Sequence, residues 1–462
     1  MKTKIALLLI LFSLFVYSNG NAQVVSKFKK GENVVFLGNS ITDGGHYHSY
    51  IWLFYMTRFP DMPIRIQNAG IGGNTAADML KRLDGDVFSK KPTTLVVTYG
   101  MNDSGYAEYN GENGSEFGST KYNECIENSK KLEERLVGYA KAKIILLGSS
   151  PYDETAKIKD NKPLVGKNKV MQRIVDYQKE TAKQRNWEFV DFNAPLTQLN
   201  EKQQRTDSAF TLSGSDRIHP GNDGHMVMAY YFLKAQDLDK TPVADVEIDA
   251  NTLRTIKTEN CKISKIKNDN NTLSFDYLAK SLPYPLDTAL RYWSSKNAQS
   301  DVDRFVPFSD EMNREILKVT KLNGKYKLVI DNIEIGEWDG NELAKGINLA
   351  KETRTPQYQQ ALAIMRLNES RYEIERKFRT YEWIQYYLFE PKGLLYADNR
   401  ESLDLLNSEL PDKKWMKSHA ENYIQLQNPI VRDTWQGTMD LIVRNIYQTN
   451  KPIKRHVMLV KQ

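Results

Sequence analysis

The sequence predicts an α/β fold: a parallel sheet covered by helices on both faces, followed by a β-rich unit and a helical tail. Three observations predict it. From Asn33 to about Lys240, short apolar runs alternate with helical patterns, the signature of a parallel α/β sheet. Those runs are continuous in apolar residues, as in strands buried on two faces. Beyond about Thr241 the texture changes, first to strict alternation and then to helical spacing.

The predicted strands of the first region (23–240) are Val34-Val35-Phe36-Leu37, Ile64-Arg65-Ile66, Thr94-Leu95-Val96-Val97-Thr98, Lys143-Ile144-Ile145-Leu146-Leu147 and Trp187-Glu188-Phe189-Val190-Asp191. In such sheets the site lies at the carboxyl ends of the strands. Residues 241–345 read as a small antiparallel β unit. Val243 to Asp249 and Leu273 to Tyr277 alternate. Ile316–Leu322 and Tyr326–Ile330 flank Asn323-Gly324, the strongest short hairpin signal. Asp331-Asn332 offers a second tight turn into Ile333-Glu334-Ile335. Residues 346–462 read as helical. Thr355-Pro356 pairs a cap with proline at the first helical position, and Tyr358, Ala361, Leu362 and Met365 follow at helical spacing, with Pro391 as the stop. A second helix covers Val431 to Tyr447, with Trp435, Met439, Ile442 and Ile446 on one face. Such stripes are docking faces, either for the α/β domain or for another copy of the chain, so a homo-oligomer through the tail stays open.

The chain has 462 residues, more than one ordinary core holds. Its 64 Lys and Arg exceed its 58 Asp and Glu by six. The charges are scattered rather than clustered, which argues against nucleic-acid binding. Lys2 and Lys4 precede an apolar run from Ile5 to Tyr17, then Ser18-Asn19-Gly20-Asn21-Ala22. That order is the leader of an exported protein, residues 1–22, with cleavage after Ala22. The run is shorter than the ~20 residues a membrane span needs, and no later segment is long and apolar enough. Two cysteines, Cys125 and Cys261, do not make a disulfide scaffold and read as free buried thiols.

Four blocks carry chemistry. Gly38-Asn39-Ser40-Ile41-Thr42-Asp43-Gly44 follows the first strand. A serine at such a turn exposes its hydroxyl among backbone N–H groups, although it can equally be a helix cap. Asn68-Ala69-Gly70-Ile71-Gly72-Gly73-Asn74-Thr75 follows the second strand. Its glycines let amides approach a ligand, or simply make a turn. Tyr99-Gly100-Met101-Asn102-Asp103 ends the third strand; Asn102 can donate to an oxyanion or hold its own turn. Ser215-Asp216-Arg217-Ile218-His219-Pro220 opens the last helix of the region. An Asp three residues before a His can bind one ring nitrogen and orient the other, as nucleophilic catalysis by serine needs. His46 and His48, just after the serine, read as packing or surface residues.

In this order, each at a strand end, the four blocks resemble the SGNH hydrolases, also called GDSL esterases, over about residues 31–240. The resemblance implies a flavodoxin-like three-layer α/β/α domain and ester hydrolysis through an acyl-enzyme, with no metal or organic cofactor. It makes Ser40 the nucleophile, with Asp216 and His219 completing the triad. It makes the oxyanion hole the Ser40 and Gly73 amides and the Asn102 side chain. One position departs from the family pattern: residue 39 is Asn where the family has Asp.

Export and the absence of a long apolar lid disfavour a lipase. The stretch Asp103 to Thr120 carries Tyr106, Tyr109 and Phe117 among Gly, Asn and Ser. Such aromatics suit stacking on sugar rings, or else belong to a surface insertion. Exported members with β-rich and helical additions are similar to carbohydrate esterases, so the expected substrate is an acylated carbohydrate or another small ester. The alternatives are a lipase, thioesterase or peptidoglycan O-acetylesterase on the same fold, or a non-catalytic sugar-binding protein.

Overall fold

Five strands, β1 (Asn33–Gly38), β2 (Arg65–Gly70), β3 (Thr94–Tyr99), β4 (Lys143–Gly148) and β5 (Glu188–Asp191), form a wholly parallel sheet in the order β2-β1-β3-β4-β5. The molecule is represented by a computed structural model that describes residues 25–291 and 296–462; the leader expected at 1–22 lies outside the described residues. The strand order is that of the flavodoxin-like fold. Successive side chains of each strand enter opposite cores. Val34, Phe36, Val96, Ile145 and Leu147 face one, with the helices Tyr47–Arg58 and Asn222–Ala235. Val35, Leu37, Leu95, Val97 and Leu146 face the other, with Gly114–Gly138 and Lys167–Arg185. This double burial is why the runs are apolar at every position.

The following β region is two sheets over one core. Strands β6 (Ala244–Asp249), β7 (Arg254–Glu259), β8 (Cys261–Asp269), β9 (Thr272–Ala279), β10 (Glu315–Thr320), β11 (Lys325–Ile330), β12 (Ile333–Asp339), β13 (Ile347–Asn348) and β14 (Arg455–Lys461) are arranged as β13-β10-β6-β7 and β12-β11-β14-β9-β8. Val246, Ile248, Leu317 and Val319 of the first sheet meet Phe275, Leu328, Ile330 and Leu459 of the second.

Three details correct the sequence expectation. Asn323-Gly324 does not join a hairpin. Gly324 does take a left-handed φ of 92°, but β10 pairs with β6 and β13 while β11 pairs with β12 and β14. A turn reverses the chain; burial of the alternating face decides which strands pair. The unit is not purely antiparallel either, because β6 and β10 run parallel. Finally, the tail is not helical to its end: β14 returns and inserts between β11 and β9. Its alternating Val457 and Leu459 are buried. The Asp331-Asn332 turn does join β11 to β12, with both residues at positive φ.

The tail's long helix, Pro356–Ile384, starts at the Thr355 cap, whose hydroxyl accepts the Tyr358 N–H. It then widens into a π turn at Gln385–Phe389. Short helices at Arg400–Glu409 and Lys417–Leu426, unmarked in the sequence reading, precede Pro429–Thr449. The long helix lies along the exposed edge of the parallel sheet. Glu375 Oε1 accepts the Asn68 N–H of β2 at 2.9 Å, and Arg379 Nε donates to the Gly70 carbonyl at 2.9 Å. Tyr372 donates to the Gly45 carbonyl at 2.9 Å. An edge strand whose free polar groups are covered in this way is closed to further pairing.

Candidate active site

Ser40 begins a single helical turn, Ser40–Asp43, at the end of β1. Asn39 caps that turn: its Oδ1 accepts the Ile41 N–H at 3.0 Å. Asparagine therefore supplies the acceptor the turn requires without burying a charge beside the serine, for residue 39 is 1% exposed. Across the site, His219 Nε2 lies 2.7 Å from Ser40 Oγ, and His219 Nδ1 lies 2.6 Å from Asp216 Oδ2. The other Asp216 oxygen accepts the Ile218 and His219 N–H groups at 2.9 and 3.0 Å. Burial opposes ionisation of Asp216, but the hydrogen bonds from the His219 ring and from these amides outweigh it and hold the carboxyl below its ordinary range.

The loop bearing this pair is held from both ends. Arg217 has a left-handed φ of 68°, and its buried guanidinium donates to the carbonyls of Asp153 and Ala156 at 2.9 and 2.8 Å. Gly214 has a φ of 71°, and a β-carbon there would sit 2.3 Å from the His219 carbonyl oxygen. Only glycine fits so close an approach.

Gly73 follows β2 with a φ of 83° and open space where a β-carbon would stand. Its loop is fixed by Asp43, whose Oδ2 accepts the Gly72 N–H at 3.0 Å. Burial raises the Asp43 pKa against the pull of Arg379. Asn102, beyond β3, donates Nδ2 to the Asn74 carbonyl at 2.9 Å and accepts the Tyr106 hydroxyl on Oδ1 at 2.7 Å. A carbonyl can only accept, so these partners fix which way the amide points. Asp103 ties the block down by accepting the Gly100 and Ala76 N–H groups at 2.8 and 2.7 Å.

The structure thus brings Ser40, Asp216 and His219 into one hydrogen-bonded chain and sets Asn102 against the Gly73–Asn74 loop. Of the three aromatics expected at the rim, Tyr106 meets Asn102. Tyr109 is instead buried, donating to the Ser104 carbonyl at 2.6 Å and packing edge-on against Phe117. His46 and His48 are buried packing residues. His46 packs against Tyr372 at a tilt of 36°, with centroids 4.1 Å apart, and lies 3.4 Å from Glu369. Cys125 and Cys261 are free and buried. Sequence reasoning missed Lys167, whose buried ammonium donates to the Met101 carbonyl and Ser104 Oγ at 2.7 and 2.6 Å and lies 4.0 Å from the Tyr106 ring centroid. Burial pushes its pKa down to about 7. It missed the tail residues Arg379 and Trp383 as well, because apolar and charged positions on a helix read as ordinary packing. Among the described residues, no group of three or more His, Cys, Asp or Glu could hold a metal ion, and no helix is long and apolar enough to cross a membrane.

Residues 36–227 match the GDSL-like lipase/acylhydrolase family, and residues 362–451 match the diltiazem deacetylase C-terminal helical domain. The solved structure of a gut microbial diltiazem-metabolizing enzyme is 54% identical, with a TM-score of 0.94 over 96% of this chain and 100% of its own. The chain belongs to the SGNH hydrolases. It is, accordingly, a carboxylic ester hydrolase. An acetylxylan esterase of Geobacillus stearothermophilus is 25% identical over 240 residues, 45% of this SGNH hydrolase and 95% of the relative. A crystal structure of an acetylxylan esterase from that organism is 27% identical over 46% of this chain and 96% of its own, with a TM-score of 0.37.

Proposed function

We propose that this hydrolase removes acetyl groups from the hydroxyls of a carbohydrate through an acyl-enzyme formed on Ser40. The observation that carries this is the chain Ser40 Oγ, His219, Asp216, closed at 2.7 and 2.6 Å. His219 Nε2 takes the hydroxyl proton as Oγ attacks the ester carbonyl, whose π electrons move onto oxygen. The Ser40 and Gly73 amides and Asn102 Nδ2 receive that oxyanion. One hydrogen of the Asn102 amide serves Asn74 and a second is left for the substrate. Each donor lowers the barrier by about 3 kcal/mol. The imidazolium, steadied by Asp216, then gives its proton to the alcohol oxygen as the C–O bond breaks. Water attacks the acetyl-Ser40 carbonyl, gives its proton to His219, and Ser40 leaves with that proton.

The acyl group is argued from the relatives. One relative is an acetylxylan esterase, and the family that the tail matches takes its name from a diltiazem deacetylase, so an acetyl group is joined to unlike alcohols, a xylan in one and the drug diltiazem in the other. What they share is the acetyl. The leader-like segment at 1–22 supports action outside the cell membrane, where polysaccharides are met. Acetate release from acetylated xylan or xylo-oligosaccharides, abolished by Ser40→Ala, is the expected result. A rate that rises with acyl chain length across p-nitrophenyl esters would refute it. One observation favours a second reading, deacetylation of a drug-type ester: the 54% identity to a diltiazem-metabolizing enzyme. Turnover of diltiazem itself tests that.

A further inference from the structure

Beside the oxyanion loop lies a cavity of about 520 Å³, walled on one side by Gly73, Asp78 and Lys81 and on the other by Trp383, Tyr387 and Trp415 of the tail. The family match over the α/β domain ends at residue 227, so the aromatic wall is the tail's own contribution. Trp383 stands one helical turn beyond Arg379, the residue that pins β2. A β-carbon at Gly72 would lie 3.8 Å from its Nε1, so the indole and the loop bearing Gly73 are neighbours. Tyr387 stacks on Trp383, with centroids 4.1 Å apart and planes at 22°, and Trp415 meets it edge-on at 5.3 Å. Tyr387 and Trp415 are nonetheless 48% and 58% exposed. Large aromatic faces left half in water around a concave site mark a ligand surface.

We propose that Trp383, Tyr387 and Trp415 form the subsite for the alcohol half of the ester, and that this half is a sugar ring. The assignment rests on the deacetylation proposed above. An acetyl group has few heavy atoms and leaves most of about 520 Å³ empty, so the cavity serves the other half of the ester. A sugar ring presents a C–H face and a rim of hydroxyls. Indole and phenol faces meet the first. On the facing wall, Asp78 and Lys81, 3.6 Å apart and both half exposed, meet the second. A long hydrocarbon chain in the same place would lie against these two charges without hydrogen bonds.

The test compares kcat/KM for an acetylated xylo-oligosaccharide with kcat/KM for ethyl acetate, in the wild type, Trp415→Ala and Trp383→Phe. Trp415 is exposed, so its truncation leaves the core intact; the phenylalanine keeps a ring at the buried position. Removing the Trp415 stack lowers the oligosaccharide-to-ethyl acetate ratio about tenfold, chiefly through KM, and the smaller ring of Trp383→Phe lowers it by a smaller factor. The same variants, placed in the Ser40→Ala protein, weaken quenching of indole fluorescence by the deacetylated oligosaccharide. A wild type that prefers the oligosaccharide, with a ratio unmoved in both variants, overturns the subsite and leaves the deacetylation standing. A wild type that hydrolyses ethyl acetate and aryl acetates without favouring the sugar overturns the carbohydrate reading and the sugar ring together.

Discussion

Replacing Tyr106 by Phe separates two roles for one residue. The sequence pattern places Tyr106 against substrate, whereas the structure places its hydroxyl 2.7 Å from Asn102 Oδ1. Two partners hold the Asn102 amide: this hydroxyl on one side and the Asn74 carbonyl, 2.9 Å from Nδ2, on the other. The phenylalanine removes the first and keeps the second. A 180° flip would then turn Oδ1 toward the Asn74 carbonyl, oxygen against oxygen, so the amide loosens rather than inverts. The loss is one neutral hydrogen bond, about 1 kcal/mol, or roughly fivefold in kcat, with KM unchanged. Asn102→Ala removes the donor itself, and kcat falls by roughly a hundred- to a thousandfold. Steady-state kinetics on p-nitrophenyl acetate read both. A Tyr106→Phe enzyme whose KM rises while kcat holds would refute the positioning role and restore the substrate contact. An enzyme at wild-type kcat beside a crippled Asn102→Ala would show that Asn74 alone orients the amide.

Asp216→Asn keeps the shape and loses the carboxylate: with its oxygen on the Ile218 and His219 amides, its NH2 faces Nδ1 and forces the wrong ring tautomer. kcat should fall roughly ten-thousandfold, read in single-turnover acetate release. Gly214→Ala drives a methyl group to 2.3 Å from the His219 carbonyl at a φ of 71°, so the histidine loop shifts; activity should drop well beyond any loss in Tm, and equal kinetics would refute the close approach. His48 is held neutral by burial, which pushes its pKa down to about 4 against the attraction of Glu375 and with the repulsion of Arg371 and His46. The unfolded chain takes up a proton below pH 6.5 and the folded one only near 4, so stability falls as pH drops through that window, by about 3 kcal/mol; denaturant melts of His48→Gln should show a shallower acid slope than the wild type. Arg379→Met leaves the buried Asp86 without its bidentate partner, costing about 3–5 kcal/mol, and an unshifted denaturant midpoint would contradict that coupling.

The α/β half was legible because its signals are local. Four of the five predicted strands end within a residue of the observed ones, since double burial makes every position of Val34–Leu37 or Lys143–Leu147 speak for the strand; the second, read as Ile64–Ile66, runs on to Gly70 through the polar Gln67 and Asn68. The four blocks were legible for the same reason: Ser40, Gly73, Asn102 and His219 each sit directly after a strand or before a helix. What failed to show was pairing at a distance. Asn323-Gly324 announces a turn but not that the two flanking strands enter different sheets. Val457 and Leu459 alternate, yet nothing in seven residues says that they close a sheet begun near residue 261. Burial of Tyr109 against Phe117 was hidden by the same limit. A Trp383–Tyr387 pair at helical spacing reads as core until the helix is laid against Gly72.

The buried carboxylate of Asp86 shows why that laying-down is specific. Burial alone would raise its pKa, but the cations of Arg379, Lys90 and Arg82 outweigh it and hold the group well below the carboxylate range. Arg82 spends its remaining donors on the Gly38 and Ala69 carbonyls at 2.9 and 2.8 Å and on Asn74 Oδ1 at 2.6 Å. Arg379, arriving from the tail, meets both Asp86 oxygens and the Gly70 carbonyl. One charge cluster therefore grips the carboxyl ends of β1 and β2, from which Ser40 and Gly73 project, and one of its cations belongs to the same helix as Trp383. A buried carboxylate is costly when a partner is missing, so the tail is drawn to one register on the sheet edge. In that register the residue one turn past the arginine stands at the site. The tail helix that carries Trp383 is thus aligned by the same network that holds the ends of β1 and β2 leading into the Ser40 and Gly73 loops.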